Sequence, residues 1–314
     1  MTDPATPTSV ELHPRRVRFD WEDTPLHWVP GDPFTTHLLN VLHMLLPAGE
    51  RWFVHVYKQA LPLIRDRRLY DDVKGFMGQE GTHAAAHQRV LEHLKEQGVD
   101  PGPYVRQVEW MFTKLLGDDT APPTARDWWL LERVAIIAAI EHFTAVLGQW
   151  ILRSRGLDRA GADPVMLDLL RWHGAEEVEH RSVAYDVFDH LDGRYGRRLR
   201  TMAGVVPAMT WLWKRGVVYL VTADPTVPAA RPRLRDLRRA GRADMFPRAC
   251  ELAAAVPRYL RPGFHPSHEG SLRPALDYIA ISPAHRAYEE YAAQRAERAE
   301  RAERAAPAGS AEAR

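Results

Sequence analysis

A single cysteine, Cys250, stands among the 314 residues of this chain. That excludes a disulfide framework and any cysteine-rich zinc or iron–sulfur site within one chain. Surplus charge is equally scarce. There are 42 basic against 41 acidic side chains, a net charge of +1, and nothing in that balance points to nucleic acid, although arginine clusters leave local basic patches. The first residues, MTDPATPTSVELHPRR, hold no apolar run that would serve as a secretory signal, so a cytoplasmic protein is expected. Long hydrophobic runs are few. Residues 202–221 are strongly apolar but interrupted by Pro207, Lys214 and Arg215, which makes a bilayer span costly. A packed core helix fits that segment better, and membrane-surface contact through it is the less favoured reading.

What is present is helical periodicity and histidine. The composition, 45% hydrophobic and 26% charged with 15 His, suits a soluble domain with ample core. Residues 1–34 are rich in Pro, Thr and charge and predict an extended arm, strapped down by Phe19, Trp21 and Trp28. Leu38, Leu39, Leu42, Leu45 and Leu46 recur at helical spacing. Pro47 is expected to end that helix and to open a second one, over 49–64. A third spans 69–97, stopped by Gly98 and Pro101. Residues 124–155, with Thr124 as N-cap, are apolar almost all round and predict a buried helix. Asp163-Pro164 caps another, running to about 191. Residues 222–243 read as linker, 244–261 as a short helix, 261–268 as a loop, and 283–304 as a last helix before a disordered tail.

Within this framework two Glu-x-x-His elements stand out, Glu80-Gly81-Thr82-His83 and Glu177-Val178-Glu179-His180. On a helix, residues three apart share a face, so each element aims one carboxylate and one imidazole the same way. Either alone would suit a solvated helix surface. Each, however, follows a helix carrying its own glutamate, Glu50 before the first and Glu141 before the second. Glu141 lies in the middle of the apolar run, where an isolated carboxylate costs several kcal/mol unless paired, neutralised or metal-bound. Helix with Glu, then helix with Glu-x-x-His, twice over, is the ligand arrangement of ferritin-like four-helix bundles with two metals. Four carboxylates balance two divalent ions, and the imidazoles of His83 and His180 add neutral ligands. Glu176, His87 and His173 fall at helical spacing from these six positions and are candidates for further ligands, tautomer-fixing partners or proton relays.

The segments GERWFVHVYKQALPLI, GQEGTHAAAH, EHFT and WHGAEEVEH, with the later PGFHP, resemble a bacterial family of predicted metal-dependent hydrolases within the ferritin-like superfamily. The resemblance covers roughly residues 14–275. It implies a di-metal helical bundle with ligands at Glu50, Glu80, His83, Glu141, Glu177 and His180. Relatives sharing such a ligand set are mostly oxygenases, oxidases and desaturases.

The expected fold is therefore all-α: an extended arm over 1–34, a ferritin-like bundle over 35–195, a helical extension over 196–285 packed on it, and a helical to disordered tail over 286–314. The leading functional expectation is a non-haem di-iron enzyme that activates dioxygen to oxidise a small apolar substrate. Phe76, Trp110, Trp129, Phe143, Trp150 and Trp172 would line its site, and an external electron donor such as a ferredoxin or flavin reductase would re-reduce the two irons. Manganese is an alternative metal. The rival is a dinuclear hydrolase, with zinc or manganese. A further one is a non-enzymatic metal store or iron and oxygen sensor, and a homo-oligomer is left open.

Overall fold

The structure, a computed structural model, describes residues 10–227 and 231–305; the tail expected to be disordered lies almost wholly outside them. The first helix, α1 (Pro33–Ala60), starts where the Asp32 carboxylate accepts the Thr35 amide (3.1 Å) and hydroxyl (2.7 Å), filling an otherwise orphaned donor. Contrary to the expected break, α1 runs straight through Pro47. Proline forfeits the hydrogen bond to the carbonyl four residues back and crowds that carbonyl, a cost that the buried packing on both sides offsets. Asp66 caps α2 (Arg67–Glu96) in the same way, through the Leu69 amide (2.8 Å). The short connection between them folds α2 back along α1.

After α3 (Gly102–Trp110) and a π turn over Met111–Leu115, α4 (Arg126–Arg153) begins. Thr124 does not cap it; a 3-10 turn, Pro123–Ala125, precedes the helix instead. A single turn, α5 (Gly156–Arg159), leads to α6 (Pro164–His180), capped by Asp163 through the Met166 amide (2.9 Å). The helix expected to reach 191 stops at His180 and resumes as α7 (Val183–Leu191). The break has a visible cause. Arg181 is buried and its guanidinium donates to the carbonyls of Pro266, Ser267 and Gly270, so the loop over 266–270, directly after PGFH, clasps the chain there.

The bundle is made by α1, α2, α4 and α6. The pairs α1–α2 and α4–α6 are the most extensive, and α8 (Tyr195–Ala223) lies across α1 and α4. The expected linker contains α9 (Leu234–Arg242), and the expected short helix is α10 (Ala249–Tyr259). A helix the sequence reading passed over, α11 (Arg273–Ile279), packs on α6, followed by α12 (Pro283–Ala305). Asp168 of α6 ties this end down, accepting from the Tyr278 and Ser282 hydroxyls and the Ala284 amide. Among the described residues no strand occurs. One stretch there, Pro123–Arg153 around α4, is long and apolar enough to cross a membrane. It is the core helix of the bundle, so packing accounts for its apolar character.

The α4–α6 contact is close because glycines meet in it. A Cβ on Gly148 would fall 2.4 Å from the Gly174 carbonyl oxygen. Gly148→Val should therefore lower the unfolding free energy by about 1–3 kcal/mol, seen as a reduced urea midpoint at unchanged slope. An unchanged midpoint would mean the helices can part without cost.

Candidate metal centre

The four bundle helices bring all six expected residues to one place. α1 supplies Glu50, α2 supplies Glu80 and His83, α4 supplies Glu141, and α6 supplies Glu177 and His180, each at most 3% exposed. Glu80, Glu177 and His180 each offer a ligand atom within 4.8 Å of the others, as do Glu50, Glu80 and His83. His180 Nε2 lies 3.3 Å from Glu141 Oε2, 3.3 Å from Glu177 Oε2 and 3.4 Å from Glu80 Oε1. His83 Nδ1 lies 3.5 Å from Glu177 Oε1 and 3.8 Å from Glu80 Oε1.

These separations are long for hydrogen bonds. They match atoms that share an ion, since ligands about 2.1 Å from one metal stand roughly 3.0–3.4 Å apart. The polar inventory agrees. Both oxygens of Glu50, Glu80 and Glu141, and His83 Nδ1, are buried with no hydrogen-bond partner. Buried polar atoms are rarely left so. The residues fit a pair of divalent ions, with Glu80 and Glu177 placed between the two imidazoles.

Around this set each imidazole is oriented by its other nitrogen. His83 Nε2 donates to Glu176 Oε2 (2.8 Å), and His180 Nδ1 donates to Gln79 Oε1 (3.0 Å). In the neutral form each imidazole would thereby present its other nitrogen, His83 Nδ1 and His180 Nε2, as a lone pair to the carboxylates. His173 Nε2 donates to Glu177 Oε1 at 2.7 Å, and its Nδ1 meets His87 Nε2 at 2.6 Å. His87 Nδ1 in turn meets His43 Nδ1 at 2.7 Å. The contact to Glu177 is of hydrogen-bond length, which suits His173 to steady that carboxylate and His87 to steady His173; His173 also gathers with His83 and Glu177, and with Glu50 and His87, closely enough to share an ion. His43, Gln79 and Glu179 were not anticipated. Their partners lie at least 44 residues away in the chain, and no local spacing announces them.

Charge is arranged accordingly. Burial pushes the Glu50 and Glu80 carboxyls well above their usual range, and repulsion from neighbouring carboxylates adds to it. Burial and Glu177 push Glu141 up to about 7. Burial opposes charge on His83 and His180 too, but Glu176 and Glu177 hold the first well up, and Glu177 and Glu141 the second. Glu177 is held well down despite its burial, by His180 and His173. Burial drives His87 well down and His43 to about 3, so both are neutral bridges.

A second cluster, His27, His37 and Asp224, also gathers metal-type ligands, but its atoms use one another. Both imidazoles donate to Asp224 Oδ2 (2.6 and 2.8 Å), while Thr226 donates twice to Oδ1. It is a clasp between the arm, α1 and the end of α8.

An apolar cavity of about 50 Å³ abuts the centre, with Glu50, Glu80, Glu141 and Glu177 on one side and Leu42, Phe53, Phe112, Ile140 and Leu147 among its other walls. A neighbouring cavity of about 40 Å³ shares Leu42, Leu46, Thr144, Leu147 and Trp213 with it and reaches His173. Of the expected lining aromatics, Phe143 and Trp150 do line these spaces. Phe76 and Trp172 instead pack edge-on against His180 and His83. Trp129 donates to the Gly117 carbonyl, and Trp110 is 61% exposed.

A family model described as "Predicted metal-dependent hydrolase" matches residues 13–270. The chain belongs to this family. No curated protein and no solved structure matches it significantly. The family assignment corrects the expectation of a dioxygen-activating di-iron enzyme, because what it names is hydrolysis. Hydrolysis moves no electrons, so the electron donor expected with oxidation has no place in it. The expectation went astray because carboxylate and imidazole ligands on four helices serve both chemistries.

The raised carboxyls make a prediction for the metal-free protein. A carboxyl whose pKa rises on folding, as Glu141's does from 4.5 to about 7, stabilises the fold while protonated and ceases to as pH climbs through that interval. His83 and His180 act with the same sign. Glu177 acts oppositely below the usual carboxylate range, and His37, His43, His87, His142 and His173, which burial holds down, act oppositely as pH falls through the ordinary histidine value. Glu141's own share is isolated by substitution: in chelator-treated protein the melting temperature of Glu141→Gln should rise relative to wild type between about pH 5.5 and about pH 7.5. The same difference from wild type at both pH values would contradict this account of the buried charge.

Proposed function

We propose that this chain is a dinuclear metal-dependent hydrolase acting on a substrate with a substantial apolar part. One observation carries the reading: six carboxylate oxygens and an imidazole nitrogen buried without partners, in a member of a family of predicted metal-dependent hydrolases. Glu50, Glu80, Glu141, Glu177, His83 and His180 would hold two divalent ions, zinc or manganese. Bound there, such ions supply a polarised substrate oxygen and a water acidified toward neutral pH.

The chain's own residues do the rest. The acceptors Glu176 and Gln79 keep both imidazoles in the tautomer that presents a lone pair. His173 pins one oxygen of Glu177 and leaves the other toward His180. The apolar walls exclude bulk water and seat an aliphatic or aromatic portion of the substrate beside the carboxylates, which supports an ester or amide with such a portion as the substrate class.

Metal analysis of purified protein should find about two zinc or manganese ions per chain. Hydrolysis of 4-nitrophenyl acyl esters should vanish on chelation, return with either ion, and be lost in Glu177→Ala. His173→Asn, which withdraws the hydrogen bond to Glu177, should weaken metal binding about 10–100-fold. Protein that takes up no divalent ion, or hydrolysis indifferent to chelation, would remove the reading. Leu147→Trp, which fills wall space common to both cavities, should cut kcat/KM for long acyl chains roughly tenfold more than for acetyl. An equal effect on both would place the chain elsewhere.

A further inference from the structure

The N-terminal arm reaches the centre through one side chain. Arg15 donates to Glu179 Oε2 (2.6 Å) and Oε1 (2.8 Å) and to Glu176 Oε1 (3.1 Å). Both carboxylate side chains are fully buried, and each leads to one imidazole of the centre. Glu176 accepts from His83 directly. Glu179 Oε2 accepts from the Gln79 amide (2.7 Å), whose oxygen accepts from His180. One guanidinium therefore terminates both hydrogen-bond chains.

The arm lies in a groove shaped for it. A Cβ on Gly75 of α2 would fall 2.4 Å from the Leu12 carbonyl oxygen, and one on Gly78 would fall 3.0 Å from Pro14. The His13 carbonyl accepts from Gln79 (3.3 Å). Phe19 stands edge-on to Trp172, which stands edge-on to His83. Only with the backbone seated over those glycines does Arg15 reach both carboxylates.

We propose that Arg15 is a positioning residue of the metal centre, and that docking of the arm and loading of the metals are energetically coupled. Removing the guanidinium would leave Glu176 and Glu179 as like charges buried three residues apart on α6, with no counterion between them. Their grip on His83 and Gln79 would loosen, and with it the aim of both imidazoles. Coupling between two binding events is reciprocal, so what the docked arm adds to metal affinity the metals return as arm docking.

This rests on reading the six-residue set as a metal centre. The test uses the full chain with Co²⁺ as the probe. Affinity is measured by competition with a chromophoric chelator, and arm docking by the rate of tryptic cleavage after the exposed Arg16 and Arg18. Arg15→Gln should bind Co²⁺ about 10–100-fold more weakly than wild type. Co²⁺ should slow cleavage of the wild-type arm and leave that of Arg15→Gln unchanged. Arg15→Lys should recover only part of the affinity, because an ammonium cannot fork across two carboxylates. Gly75→Val, which obstructs the groove and leaves every polar group in place, should behave as Arg15→Gln does. Wild-type Co²⁺ affinity in Arg15→Gln, or cleavage of the wild-type arm indifferent to Co²⁺, overturns the proposal. Wild-type protein that binds no Co²⁺ overturns the metal centre itself, and the proposal with it.

Discussion

Four carboxylates inside an apolar bundle set the terms for everything else in this molecule. Glu141 sits in α4, a helix long and apolar enough to cross a membrane, and Glu50, Glu80 and Glu177 face it from the other three. Ionised and alone they would repel one another in a medium that solvates none of them. The bundle can keep them only if protons or cations occupy the space between. The raised pKa values of Glu50, Glu80 and Glu141 are the protonic answer, and their unpartnered oxygens mark where the cationic one would sit.

The surroundings serve that constraint at increasing distance. Glu176, Gln79 and His173 touch the centre's residues and set their orientation. His87 and His43 extend one side as neutral bridges, while Arg15 closes the other. Farther out, the Arg181 clasp and the Asp168 anchor keep α6 from shifting relative to the C-terminal helices. In the His27–Asp224–His37 group the contacts are short and both carboxylate oxygens are engaged. At the centre, Glu50, Glu80 and Glu141 leave every carboxylate oxygen without a partner. The same ion-type residues thus play two roles, distinguished by spacing alone.

Much of the bundle was legible because its signals are local. Helical periodicity marked α1, α2 and α4, and Asp163-Pro164 announced the start of α6. The two Glu-x-x-His elements were readable for the same reason, since residues three apart share a face wherever a helix forms. Pro47 misled because proline's cost to a helix is modest beside the packing of a long buried one. The end of α6 misled because Arg181 is drawn into a loop more than eighty residues on. The chemistry misled most. Six candidate ligands set a charge and a geometry that metals could match, but whether electrons flow depends on substrate and partners that the residue set does not encode.

The sequence by itself determined the class of fold, which helices carry the candidate ligand residues, and the ionic balance that two divalent ions would need there. Each of these follows from periodicity and residue type over a few turns of helix. Only the tertiary structure decided which nitrogen of each imidazole faces the centre, that His173 leans on Glu177 as a hydrogen-bond donor, that an apolar cavity opens beside the carboxylates, and that Arg15 closes the network from 161 residues away. Those depend on contacts between segments far apart in the chain, where orientation is set by packing and no short-range pattern carries the information.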